Sequence, residues 1–139
     1  MRYAAARHIE VIPEIDMPGH ARAAIKSMQA RYQRLLKQGK KAEAEQYLLS
    51  DPLDTSKYLT VQNYNDNSVN VCMDSSYAFI DKVIYELQQM YRAAGLKLNT
   101  YHMGGDEVAA GAWQGSAACQ QLFSTPANGI SGVADLKPY

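Results

Sequence analysis

LKLNTYHMGGDEV, residues 96–108, alternates apolar and polar side chains as far as Met103 and then breaks into two glycines and two adjacent acids. The alternation reads as a short strand, with Gly104 and Gly105 as its exit. In a pleated strand neighbouring side chains point to opposite faces, which would part Asp106 from Glu107. Past the strand's end the backbone leaves the pleat, and glycine tolerates the dihedrals that bring both acids to one rim. For a DE pair taken alone, a capped turn ahead of a helix is the plainer alternative.

The rest of the chain supplies the context for that strand. RHIEVIPEID (7–16) begins with the apolar, β-branched HIEVI, which reads as a short buried strand, and MPGH (17–20) is a turn at its exit. Residues 21–39 are rich in Ala, Leu, Lys, Arg and Gln and predict a helix ending at Gly39, with a second short helix in KKAEAEQYLLS. Residues 51–74 carry Asp, Asn, Ser and Pro without periodicity, a longer excursion than ordinary connections need. SSYAFIDKVIYELQQMYRAAG (75–95) is the clearest helix, with apolar residues at Phe79, Ile80, Val83, Ile84, Leu87, Met90 and Tyr91, a Ser75 or Ser76 cap and Gly95 at its end. GSAACQQLF (115–123) reads as a further helix and the tail from Ser124 as loop. Alternating strands and helices argue for an α/β chain with a parallel sheet. Both acid-bearing segments follow a strand at its carboxyl end, where such folds build their sites.

Composition narrows the function classes. The chain has 139 residues, 47% hydrophobic and 20% charged, enough for one modest domain. Fourteen basic residues balance fourteen acidic ones, which leaves no electrostatic footprint for nucleic acid or an anionic membrane. No apolar run is long enough for a membrane span, and the N-terminal residues read as fold rather than as a signal peptide. Ten tyrosines against two phenylalanines suit a sugar surface as well as any half-buried site. Cys72 and Cys119 show no zinc-type spacing; they could pair in an oxidising compartment or stand as buried thiols, and the thiol reading is preferred.

Two acids at one rim repel each other, which favours one ionised and one protonated partner, the equipment of glycosidic cleavage. Asp16 and His20 lie four residues apart across a Pro-Gly turn, so Asp16 can hold one imidazole nitrogen while the other faces a third group such as Glu107. A helix-capping Asp and a turn His account for the same residues without chemistry. A metal reading would use Asp16, His20, His102 and Asp106, but no HExxH or repeated His spacing supports it. Trp113, the lone Trp, could floor a sugar pocket or pack in the core. Asn67, Asn70 and Cys72 have no spacing that demands a role.

VIPEIDMPGHARA together with YHMGGDEVAAGAW resembles the paired signatures of glycoside hydrolase family 20, the β-N-acetylhexosaminidases, and residues 47–87 resemble the bacterial chitobiase branch. The resemblance covers nearly the whole chain. It implies a (β/α)8 TIM barrel, of which this chain would supply about strands 3 and 4 with their helices and a long insertion. It implies hydrolysis of terminal β-linked N-acetylglucosamine or N-acetylgalactosamine from chitobiose and chitooligosaccharides with retention, and no metal or organic cofactor. The family is substrate-assisted rather than built on two catalytic carboxylates. By resemblance Glu107 is the general acid and later the base, Asp106 orients the acetamido group, and Asp16 and His20 form a relay to Glu107. His102 is expected to shape the pocket beside the substrate, and Trp113 to support it.

A complete barrel takes about 250 residues, and the family's sugar-clamping arginine, pocket-wall aromatics and acetamido-binding tyrosine have no counterpart here. The chain therefore reads as an internal fragment of one catalytic domain, marginally stable, prone to associate and inactive alone. A sugar-binding module without turnover is the competing function, an inert α/β scaffold the next, and a metal-dependent hydrolase the most distant. By family analogy the compartment is periplasmic, outer-membrane-associated or secreted.

Overall fold

The computed structural model describes residues 1–125 and 129–136. Its elements are helices α1 (Arg2–Ala5), α2 (Arg22–Lys37), α3 (Lys41–Glu45), α4 (Asp74–Ala93) and α5 (Ala117–Phe123), followed by a 3-10 turn at Val133–Leu136. Helices α2, α3, α4 and α5 fall where composition and periodicity put them, within a few residues at each end. α1 was not anticipated. Among the described residues no helix is long and apolar enough to cross a membrane.

The two expected strands do not form. The extended segments meet in an isolated parallel bridge between Glu14 and His102. Three backbone bonds hold it: His102 N–H to Pro13 O at 3.0 Å, Ile15 N–H to His102 O at 3.2 Å and Met17 N–H to Met103 O at 2.8 Å. The parallel sense agrees with the strand–helix alternation, but pairing is confined to the carboxyl ends. Further back, the Val11 carbonyl accepts the Tyr91 hydroxyl of α4 instead of a strand neighbour. A run such as HIEVI becomes a strand only when partners take its edges and cover its faces. Here Ile9 and Ile12 are 57% and 51% exposed.

Burial concentrates in two clusters. In one, Ala21 and Ile25 from the start of α2 pack with Leu49, just ahead of the excursion, and Val69 within it, and Phe79 of α4 leans against them. In the other, Ala112, Trp113 and Cys119 are buried beneath Tyr58, Val71, Cys72, Phe123 and the tail residues Val133 and Leu136. So part of the tail expected as loop closes this second cluster; its residues 126–128 and 137–139 lie outside the described residues.

The excursion is far more ordered than its aperiodic sequence suggests. Asn70 donates through Nδ2 to the Ser116 hydroxyl at 2.8 Å, and Ser116 donates to Asp51 Oδ2 at 2.9 Å. Ser75 and Ser76 do not cap α4, whose N-cap is Met73. Both lie in its first turn and donate to the carbonyls of Leu48 and Asn70. Ser116 caps α5 by accepting from Cys119 N–H. Cys72 and Cys119 form a disulfide across 47 residues. This corrects the thiol reading: sequence distance conceals that the Asn70–Ser116 bond brings the two chain stretches side by side.

Candidate active site

The turn after the first extended segment and the glycine exit of the second interlock. Asp16 Oδ1 accepts Gly105 N–H at 3.0 Å. A Cβ added to Gly104, whose φ is +71°, would lie 1.9 Å from that same oxygen. Gly104 thus makes room for the Asp16 carboxylate and Gly105 binds it. In return, a Cβ at Gly19 would sit 2.9 Å from the Asp106 carbonyl oxygen. The first turn therefore touches the backbone of the DE pair directly. On its other side the turn is fastened to the excursion, with Val69 N–H donating to Pro18 O at 2.8 Å and Ala21 N–H to Asn67 O at 3.0 Å.

His20 stands at the centre. Its Nε2 lies 3.2 Å from Glu107 Oε2, 3.6 Å from Asp106 Oδ2 and 3.8 Å from Asp16 Oδ2. Only the first of these is within hydrogen-bond reach. The sequence suggested Asp16 on one imidazole nitrogen and Glu107 on the other; here all three carboxylates face Nε2. Asp106 is largely open to solvent. Its hydrogen bond with Asp16 holds its carboxyl below the ordinary range, and the adjacent His20 favours the charged form as well. Among the described residues no Lys or Arg pairs with Asp106 or Glu107.

Two of these residues sit in a backbone conformation that L-amino acids rarely adopt: φ is +50° at His20 and +52° at Glu107. Trp113, at +66°, is a third. Such outliers cost about 1–3 kcal/mol each and cluster where function over-determines the geometry. Trp113 is buried, and its indole N–H is donated to Val69 O at 2.9 Å. It supports the excursion from beneath and presents no open face to a ligand. His102 Nδ1 lies 3.2 Å from Glu14 Oε1 and 3.1 Å from Gly104 N. One nitrogen cannot donate to Glu14 and accept from Gly104 at once, and the hydrogen bond present is the one it accepts from Gly104 N–H. The ring lies beside Glu14 rather than the carboxylates around His20.

Of the four metal-type residues, Asp16, His20 and Asp106 converge closely enough to hold an ion and His102 does not join them. One residue that sequence reasoning passed over touches the pair: Gln62 donates its side-chain amide to Glu107 Oε2. It comes from the aperiodic excursion, and no spacing signal pointed to it.

The glycosyl hydrolase family 20 catalytic-domain model matches residues 1–139, the whole chain. The chain belongs to glycosyl hydrolase family 20. It is 48% identical over all 139 residues to a beta-hexosaminidase of Vibrio vulnificus, covering 16% of that protein. It is 60% identical over 109 residues to the N,N'-diacetylchitobiase of Vibrio harveyi, with 78% of this chain and 12% of that one aligned. Among solved structures, it resembles a family 20 exo-β-N-acetylglucosaminidase from Vibrio harveyi in complex with N-acetylglucosamine. The TM-score is 0.72 at 37% identity, over 96% of this chain and 17% of that one. The likeness relates the chain to a TIM-barrel-type fold despite its unformed strands. The chain spans about a sixth of the length of these relatives. The family 20 signatures, which carried the resemblance in the sequence, are the two stretches that interlock around His20.

Proposed function

We propose that this family 20 chain supplies the acid–base side of a retaining exo-β-N-acetylhexosaminidase of chitobiase type. Its substrates would be terminal β-linked N-acetylglucosamine or N-acetylgalactosamine on chitobiose and chitooligosaccharides. One observation carries the reading: the two adjacent acids have different surroundings. Glu107 meets both His20 and the Gln62 amide at one oxygen, while Asp106 is open and held ionised. Glu107 gives its proton to the glycosidic oxygen as the acetamido oxygen of the sugar bonds to the anomeric carbon. The Asp106 carboxylate stabilises the positive charge that develops on the acetamido nitrogen. Glu107 then takes a proton from the water that opens the oxazolinium ring, and two inversions leave the configuration retained. His20, with Asp16 behind it, holds Glu107; His102 lies beside the pocket and Trp113 supports the chain around it. No step calls for a metal.

The chain corresponds to about strands 3 and 4 of a (β/α)8 barrel, and the Cys72–Cys119 disulfide suits an oxidising, exported compartment. The isolated 139 residues are expected to be inactive. The test compares aryl release from a β-N-acetylglucosaminide and from the matching β-glucoside by the full-length protein. Cleavage of the first alone supports the mechanism. Equal cleavage of both means a protein nucleophile exists and overturns it. Binding of N-acetylglucosamine without cleavage of either leaves a sugar-binding module.

A further inference from the structure

Both contacts to the Glu107 carboxylate among the described residues fall on one oxygen. His20 Nε2 lies 3.2 Å from Oε2, and the Gln62 amide donates to Oε2 as well. Gln62 is carried there by a built feature. Residues 60–64 form a tight turn in which Thr60 N–H donates to Tyr64 O at 2.8 Å, Asn63 N–H to Thr60 O at 2.9 Å and Tyr64 N–H to the Thr60 hydroxyl at 3.1 Å. The turn is strapped to the start of α2. The Arg22 guanidinium lies 4.8 Å from the centre of the Tyr64 ring, and Arg22 and Lys26 pair with Asp66 at 2.7 and 2.6 Å. His20 sits just ahead of the same helix. Both groups at Oε2 therefore stand on one frame, the foot of α2, although they are 42 residues apart in sequence (62 − 20).

We propose that Gln62 is a positioning residue which, with His20, occupies Oε2 and reserves Oε1 as the oxygen that carries and delivers the proton. The inference rests on the reading of Glu107 as general acid. In the first half-reaction the Oε1–H bond breaks and the proton goes to the glycosidic oxygen, which leaves with the electron pair of its bond to C1 while the acetamido oxygen bonds to C1. In the second, Oε1 takes a proton from water as the water oxygen bonds to C1 and the acetamido oxygen is released. An acid free to swap oxygens would present its proton in the wrong direction part of the time, a loss confined to the transition state. A neutral amide suits this place: it donates to the carboxylate in both half-reactions without adding charge to a site already holding Asp16, Asp106 and His20. Among the described residues those three are the titratable groups around Glu107.

The test measures kcat and KM against pH for the full-length enzyme on aryl β-N-acetylglucosaminides with good and poor leaving groups. The variants are Gln62→Met, which keeps length and loses the donor, Gln62→Glu and Glu107→Gln. Gln62→Met is expected to lower kcat about 10- to 100-fold on the poor leaving group, much less on the good one, with KM nearly unchanged. Loss of a donor to the ionised carboxylate favours its protonated form, so the alkaline limb should move up by about half a pH unit to one unit, and further for Gln62→Glu. An unmoved alkaline limb, a change in KM alone, or an equal loss for every leaving group with a lowered Tm overturns the proposal. If Glu107→Gln keeps full activity on the poor leaving group, this inference and the proposed function fall together. If Glu107→Gln abolishes that activity while Gln62→Met matches the parent, only this inference fails.

Discussion

The rim of the candidate site, residues 8–20 and 96–107, and the hub formed by residues 48–76 and 109–123 are built in opposite ways. The rim has a single bridge and exposed Ile9 and Ile12. It also contains Tyr101, whose buried hydroxyl lacks a hydrogen-bond partner among the described residues and whose pKa burial pushes up. In the hub Asn70, Ser76 and Ser116 are buried, and each is hydrogen-bonded. The β-patterned segments are thus the less organised, and the aperiodic excursion is the more fully buried and hydrogen-bonded. A strand takes its order from neighbours along its whole length, whereas the excursion makes specific side-chain bonds to its own surroundings. The rim's chemistry is positioned from the hub, through Pro18–Val69, Ala21–Asn67 and Gln62–Glu107.

If rim and hub divide labour in this way, substitutions should separate activity from stability. The largest effect belongs to Glu107→Gln. It should cut turnover of a poor leaving group by roughly 100- to 10,000-fold while Tm moves no more than about 2 °C; a parallel fall in Tm would erase the distinction. Next, replacing Cys72 and Cys119 together with Ser should cost about 4 kcal/mol in urea unfolding, from the 47-residue separation, with kcat of the folded enzyme unchanged. Ser116→Ala should cost roughly 1–3 kcal/mol, because it removes the α5 cap and leaves the buried Asn70 amide without the acceptor for its Nδ2; unaltered stability would show that water replaces the hydroxyl freely.

The smallest effect is a pH slope. Burial raises the Asp51 carboxyl, but bonds from Ala118, Leu53, Ser116 and Ala117 outweigh it and hold the group below its ordinary value. A depressed pKa contributes stability that is present above the unfolded value, about 4, and lost as pH falls through the folded one. Asp51→Asn should flatten that acid-side loss in a urea titration between about pH 5 and 2. The Asp106 carboxyl is held down in the same direction, so Asp106→Asn should alter the acid side of activity and, by the same linkage, remove its own share of the acid-side loss while leaving that of Asp51 in place.

Much of this division escapes a reading of the sequence. The helices were legible because Phe79, Val83, Leu87 and their neighbours repeat at helical spacing, which needs no outside partner. The strands were legible as pattern and failed as structure because, among the described residues, no strand lies along the edges of HIEVI. Asp16, His20, Asp106 and Glu107 could be singled out because turn chemistry and paired carboxylates leave a local mark. Gln62 could not, since its place depends on Arg22 and Lys26 gripping Asp66, contacts about 40 residues apart in the chain. Trp113 was ambiguous for the same reason, and only its bond to Val69 O sets it beneath the site rather than on its wall. The disulfide was hidden behind the Asn70–Ser116 bond that brings its halves together.

That disulfide also makes a ring of the chain. Everything from Cys72 to Cys119, including α4, both glycines, Asp106 and Glu107, lies inside a covalent loop. The stretch between α4 and the glycines, with Asn99 and Thr100 exposed, is an accessible place for a protease to cut. A single cut there would open the ring without releasing a piece. The nicked protein would run at full length on a non-reducing gel and separate only when a thiol is added.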